Sequence, residues 1–224
     1  MADKNILILG ASRGIGLGLA DEFAKRGWHV VASERTRSEP LHALHALHRV
    51  DVVTADVTDP ASYAGLGLAD ASLDAVIINA GISGARHQSA DLATAEEVAE
   101  VMMTNAYGPV RAARCLLPKL KDGGTLAFMS SLMGSIADSS GGYELYRGSK
   151  AALNMLAKGV AEQDCRTRDI EVLSLHPGWV QTDMGGPHAK LTVEQSVAGI
   201  ADVIERAGGG GYRFIDYTGK VLPF

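Results

Sequence analysis

The chain has 224 residues, 46% hydrophobic and 21% charged, enough to bury a core without disulfides or a structural metal and too apolar for intrinsic disorder. Its net charge of −5 gives no basic footprint for nucleic acid. No apolar run approaches the ~20 residues that a membrane-spanning helix needs, so no membrane role is expected.

Apolar, β-rich runs then alternate with longer helical stretches. Asn5 to Gly10 reads as a short buried strand, followed by a helix to about Arg26. His29 to Ser33 is a second strand, and Arg49 to Val57 contains a third. Leu73 to Gly81 is a fourth. Residues 94 to 118 form a long helix stopped by Pro118. Gly123 to Ser131 is a fifth strand, residues 143 to 165 another helix, and Ile170 to Gly178 a sixth strand. Leu191 to Ala207 is a helix with Thr192 at its N-cap and Glu194 and Gln195 in its first turn. The run Gly208 to Gly211 reads as a mobile loop before a last strand, GYRFIDY. The opening MADKNILILG lacks a secretory pattern, so a cytoplasmic protein is expected. Cys115 and Cys165 are far apart and read as small buried hydrophobes rather than metal ligands or a disulfide.

Strands alternating with helices imply right-handed crossovers and a parallel sheet with helices on both faces. The fold class is therefore α/β: a doubly wound Rossmann fold with a mostly parallel seven-stranded sheet. No linker divides the chain, so residues 1–224 form one domain with a small substrate loop at about 183–191.

Glycine is in excess, at 26 residues. The first cluster gives this a chemical meaning. Gly10, Gly14 and Gly16 form G-x-x-x-G-x-G where the first strand turns into a helix. Glycine there lets the backbone approach a pyrophosphate, and the helix aims its N-terminal amides at the anion. A second pattern is Tyr146-x-x-x-Lys150, whose members share one helix face. An ammonium beside a phenol favours phenolate and lowers its pKa, making the tyrosine a usable acid–base group. Tyr143 has Arg147 at the same spacing and is a competing candidate.

These motifs, in this order, resemble the short-chain dehydrogenase/reductase family. Asp56-Val57 follows the third strand. Asn79-Ala80-Gly81 follows the fourth, with Ile78 where the family usually has a first Asn. Asn105 lies in the long helix, Ser131 after the fifth strand, and Pro177-Gly178 after the sixth. The stretch LHPGWVQTDMGG and the ending close to LPF are most similar to the branch of C-factor and sniffer-type carbonyl reductases. The resemblance implies a catalytic set of Asn105, Ser131, Tyr146 and Lys150. It implies cofactor contacts from Gly10, Ser12, Arg13, Gly14, Ile15, Gly16, Arg35, Asp56, Val57, Asn79, Ala80, Gly81, Tyr146, Lys150, Pro177, Gly178, Val180 and Thr182. Ser131, Met133, Tyr143 and Met184 flank the catalytic segments and are candidates for the substrate pocket. No metal is implied. The interval between Ser131 and Tyr146 is longer than usual in the family, and the DSSGGY loop can absorb the difference.

The cofactor choice rests on the end of the second strand. An acid there binds ribose hydroxyls and favours NAD, whereas an arginine favours the extra phosphate of NADP. Glu34 is followed by Arg35, and Arg13 adds a second cation near the adenosine ribose. NADP(H) is preferred and NAD(H) stays open, with Glu34 free to turn away and pair with an arginine. The implied activity is NADPH-dependent carbonyl reduction or alcohol oxidation on a small molecule. The alternative is a dinucleotide-binding signalling or regulatory protein of C-factor type. The family's habit of pairing its long helices implies a homodimer or homotetramer. His42, His45 and His48 in LHALHALH read as a solvated helix face, with Leu41, Leu44 and Leu47 turned inward. His176 reads as a strand-end packing residue.

Overall fold

The computed structural model describes residues 4–47 and 50–224. Among the described residues, seven strands and seven α-helices follow in the order β1 Asn5–Leu9, α1 Gly14–Lys25, β2 His29–Glu34, α2 Glu39–Leu47, β3 Val50–Thr54, α3 Pro60–Ala64, β4 Leu73–Ile78, α4 Ala95–Met102, α5 Gly108–Leu116, β5 Leu120–Met129, α6 Glu144–Val160, β6 Glu171–His176, α7 Val193–Arg206 and β7 Tyr212–Asp216. The strands form one sheet in the order β3-β2-β1-β4-β5-β6-β7, and every neighbouring pair is parallel. The chain winds outward from β1 to β3, then crosses back to β4 and winds the other way. That reversal opens a crevice at the carboxyl ends of β1 and β4, where such sheets bind ligands.

The inner strands read as continuous apolar runs because they are buried on both faces, whereas the edge strands β3 and β7 are only partly covered. Successive side chains point to opposite faces. Leu7, Leu9, Val76, Ile78, Leu126 and Phe128 therefore meet Ala112, Leu116, Leu153 and Val160 of α5 and α6. Their neighbours Ile6, Ile8, Ala75, Ile77, Ala127 and Leu173 meet Leu19 and Phe23 of α1 and Ile200 and Ile204 of α7. Among the described residues no helix is long and apolar enough to cross a membrane.

Several boundaries differ from the sequence reading. The helix expected over 94–118 is interrupted by a π-turn at Met103–Tyr107, which contains Asn105. The fifth strand starts at Leu120 rather than Gly123. The short helix α3 lies in a stretch too short for helical periodicity to register, capped by the Asp59 carboxylate on the Ala61 amide. In α2, Leu41 is fully buried, but Leu47 is 74% exposed because the helix runs off the edge of the sheet there. The Gly208–Gly211 run is tied down rather than loose: the Gly208 amide donates to Glu171 and the Gly211 carbonyl accepts from the Val172 amide. His48 and Arg49 lie outside the described residues.

Candidate active site

The glycine turn after β1 is stitched into its neighbours. Gly10 has φ +88, and a Cβ there would lie 2.8 Å from the Ala80 backbone nitrogen, so only glycine fits between the ends of β1 and β4. Its amide donates to Ser33 Oγ at 2.8 Å, and Asn79 Nδ2 donates to its carbonyl at 2.7 Å. Beyond the turn, Gly14, Ile15 and Gly16 open α1. Arg13, at the N-cap, places no side-chain hydrogen bond on the helix, and the first turn carries no acid. Gly14 lies against the Thr182 methyl group. Arg13 does not reach toward the β2 end as expected. Its guanidinium binds Asp183 at 3.1 Å, both side chains being well exposed.

At the end of β2, Glu34 is buried. Its carboxylate accepts from the Ser38 amide at 2.6 Å and is bonded to His42 Nε2 at 2.9 Å. The sequence reading allowed an arginine partner; the partners are instead Ser38, the residue just before α2, and His42 within it. Burial pushes the Glu34 carboxyl up, but the bonds from His42 and the Ser38 amide outweigh it and hold it below the usual range. The histidine repeat is accordingly not a plain solvated face, since His45 also bonds the Val50 carbonyl. Arg35 is exposed and stands 3.8 Å from Asp56. Asp56 itself accepts from the amide and hydroxyl of Thr58, which with Arg35 overcome burial and lower its pKa. Val57 is buried in the core. Ser12 offers its carbonyl to Ser38 Oγ at 2.6 Å.

The expected catalytic side chains gather at the carboxyl ends of β4 and β5. Lys150 is buried, and its Nζ donates to the Met129 carbonyl at 2.8 Å. It lies 5.7 Å from the centre of the Tyr146 ring. Gly81 touches two of the set: a Cβ there would be 3.3 Å from Asn105 Oδ1 and 3.5 Å from Lys150 Nζ. Asn105 is fully buried. It accepts from the Ile82 amide and donates to the Ile82 carbonyl and Ser149 Oγ. Ser131 Oγ accepts from the Met133 amide at 3.1 Å, and the hydroxyl is close enough to favour the ionised form of the Tyr146 phenol. Ser130 points elsewhere, donating to Asn154 at 2.6 Å. Tyr143 sits in a left-handed conformation ahead of α6 and is 62% exposed.

The titration of the pair departs from the sequence expectation. Burial pushes the Tyr146 phenol up, and the Ser131 hydroxyl offsets this only in part. Burial also brings Lys150 down to about 8. Desolvation by burial sets the direction of both shifts. His176, at the end of β6, is brought down to about 4 by burial, against the pull of Asp216, as fits a packing residue.

Beyond β6, the Pro177 carbonyl accepts from Ser196 Oγ at 2.7 Å, Gly178 follows, and Val180 bridges to Leu191. Thr182 Oγ1 accepts from the Gly185 amide. Met184 is 54% exposed and Met133 half-buried, so the side next to the expected substrate is open. One contributor escaped the sequence reading. Gln88 donates to the Ser83 and Ala85 carbonyls, and it accepts from the Tyr146 amide through its side chain and from the Glu144 amide through its backbone. It thereby caps the helix that carries Tyr146 and Lys150. Its neighbours ARHQSADL show no periodicity that could have marked it.

The short chain dehydrogenase family pattern matches residues 4–191, and the chain belongs to that family. It is 41% identical over 160 residues to C-signal of Myxococcus xanthus, covering 68% of this chain and 93% of that one. A carbonyl reductase from Pseudomonas aeruginosa PAO1, solved in complex with NADP, is 43% identical with a TM-score of 0.89 across all of both chains. The carbonyl reductase Sniffer of D. melanogaster is 30% identical, with a TM-score of 0.89 over 99% of this chain and 100% of that one. The branch to which LHPGWVQTDMGG is most similar is thus represented among the relatives, and the doubly wound fold is shared.

Proposed function

We propose that this protein is an NADPH-dependent carbonyl reductase, working through Tyr146. The observation that carries the reading is the Tyr146 ring 5.7 Å from the buried Lys150 ammonium, with Ser131 at the end of the neighbouring strand, at the carboxyl ends of the strands where a doubly wound sheet takes its ligand. The residues fit a dinucleotide. The α1 N-terminus has no side-chain cap and no acid in its first turn, leaving its amides for a pyrophosphate. Gly10, Ser12, Arg13, Gly14, Ile15 and Gly16 would border the phosphates. Arg35, Asp56, Val57, Asn79, Ala80 and Gly81 would border the adenosine. Pro177, Gly178, Val180, Thr182, Tyr146 and Lys150 would border the nicotinamide half. Glu34, held under α2, leaves Arg35 as the outward charge after β2, which favours NADP(H). The structure of the Pseudomonas relative with NADP supports the same choice.

The nicotinamide, when bound, supplies the hydride that reduces the carbonyl carbon. The protein's part is positioning and proton delivery. The Ser131 hydroxyl donates to the substrate oxygen and holds it as negative charge develops. The Tyr146 phenol gives its proton to that oxygen as the alkoxide forms. Lys150 steadies the resulting phenolate and binds ribose. Asn105, beside Lys150, would hold the water through which solvent returns a proton to Lys150 and so to Tyr146. Met133, Tyr143 and Met184 present two thioethers and a ring to a small apolar carbonyl compound. We further propose self-association through the faces of α4, α5 and α6, as a homodimer or homotetramer.

The test is turnover of purified protein on aldehydes, ketones and quinones with NADPH or NADH. The expected result is reduction with kcat/KM at least about tenfold higher for NADPH, equivalent to ~1.4 kcal/mol. A preference for NADH overturns the cofactor choice. A second reading draws on the similarity to C-signal: NADPH binding with no reduction of any carbonyl favours a dinucleotide-binding signalling protein.

A further inference from the structure

Glu34 and Arg35 are consecutive at the end of β2, where extended backbone sends neighbouring side chains to opposite sides. Arg35 is 73% exposed, whereas the Glu34 side chain is 8% exposed. A buried carboxylate needs hydrogen-bond donors, and its two donors are Ser38, the residue just before α2, and His42 within it. Ser38 caps the first turn, its Oγ accepting from the Leu41 amide, and its own amide reaches Glu34 Oε2. His42 stands four residues on, on the same helix face, and its Nε2 reaches Glu34 Oε1. Arg37 is paired with Glu39 at 2.7 Å on the surface and acts on Glu34 only through its charge. Ser38 Oγ also donates to the Ser12 carbonyl, so the device is anchored to the glycine turn.

We propose that His42 is a cofactor-specificity residue acting through Glu34. With the Ser38 amide it holds the carboxylate beneath α2, and so keeps a negative charge away from Arg35, the cation expected to meet a 2′-phosphate. The inference rests on the NADP(H) reading. A Glu34 freed from His42 has one donor left, the Ser38 amide. Its second oxygen regains partners only by swinging outward, where it repels a phosphate dianion and accepts from ribose hydroxyls instead. His42 is thus a positioning residue: it touches no cofactor, and its effect is on discrimination rather than on chemistry.

Calorimetric binding of adenosine 2′,5′-bisphosphate and adenosine 5′-monophosphate to the cofactor-free protein tests this without turnover. The wild type is expected to favour the bisphosphate. In His42→Leu, which removes the donor, the affinity ratio should fall about tenfold. His42→Gln, which keeps a donor, and the double variant His42→Leu/Glu34→Gln, which removes the charge, should each restore the ratio. A ratio unchanged in His42→Leu, or both affinities falling alike, overturns the proposal. Glu34→Gln alone is a second check that does not depend on His42→Leu folding: the ratio should stay within about threefold of wild type, whereas a rise of about tenfold or more would mean the carboxylate already faces the phosphate. A wild type that favours the monophosphate overturns the NADP(H) reading itself and this inference with it; a wild type that favours the bisphosphate with an insensitive His42→Leu overturns this inference alone.

Discussion

Helices α1 and α7 lie side by side on one face of the sheet, yet their N-termini are finished in opposite ways. At α7, Thr192 and Gln195 cap each other's amides, and Glu194 sits in the first turn against the positive helix end. Helix α4 repeats this with Thr94 and Glu97. At α1 neither device is present: Gly14 and Gly16 stand in its first turn, and its N-cap arginine reaches away to Asp183. The far end of α1 is secured, with Arg26 bonded to Glu22, Asp202 and Glu205. The difference separates two uses of the same element. A closed N-terminus contributes stability, and an open one gives up about 1 kcal/mol of capping to leave donors for an anion. Helix α6 takes a third course, with its amides covered from a distance by Gln88.

Each of these ends can be altered separately. The largest effect is expected at α6. Gln88→Ala uncaps the helix that carries Tyr146 and leaves the phosphate end alone, so kcat should fall about tenfold or more while the KM for NADPH stays within about twofold. Steady-state kinetics check the split, and a loss confined to KM would contradict it. At α1, Arg13→Asp installs the missing cap. The cofactor-free protein should gain about 0.5–1 kcal/mol in denaturant unfolding, while NADPH affinity measured by calorimetry drops about tenfold. A stability gain with unchanged affinity would show that the α1 amides are not the phosphate site. The smallest effect belongs to α7: Thr192→Ala should cost about 1 kcal/mol in unfolding and leave both kinetic constants within about twofold. A change in cofactor affinity there would erase the contrast between the two ends.

What the amino-acid sequence made legible follows the range of the interactions. The inner strands and the two-sided sheet came through because burial on both faces leaves continuous apolar runs. Gly10, Gly14 and Gly16 came through because their chemistry is local to one turn, and Tyr146 and Lys150 because one helix face holds both. The π-turn at Asn105 did not, since its departure from helical geometry leaves the composition unchanged. Gln88 acts on a residue 58 positions away, and Arg13 finds Asp183 at a separation of 170; neither pairing has a trace in periodicity. Glu34 and His42 are close in sequence, but the fate of the carboxylate depends on whether α2 packs over it. The titration of Tyr146 is not legible for the same reason, because spacing reports proximity to Lys150 and not the desolvation both groups undergo.

The central claim is that Tyr146 delivers the proton in an NADPH-dependent reduction, and Tyr146→Phe tests it most directly when turnover and cofactor binding are measured on the same preparation. Removing one hydroxyl should lower kcat about a thousandfold or more, with NADPH affinity by calorimetry within about threefold of wild type. Turnover that survives the substitution, with the nicotinamide still consumed at a wild-type rate, would contradict the account.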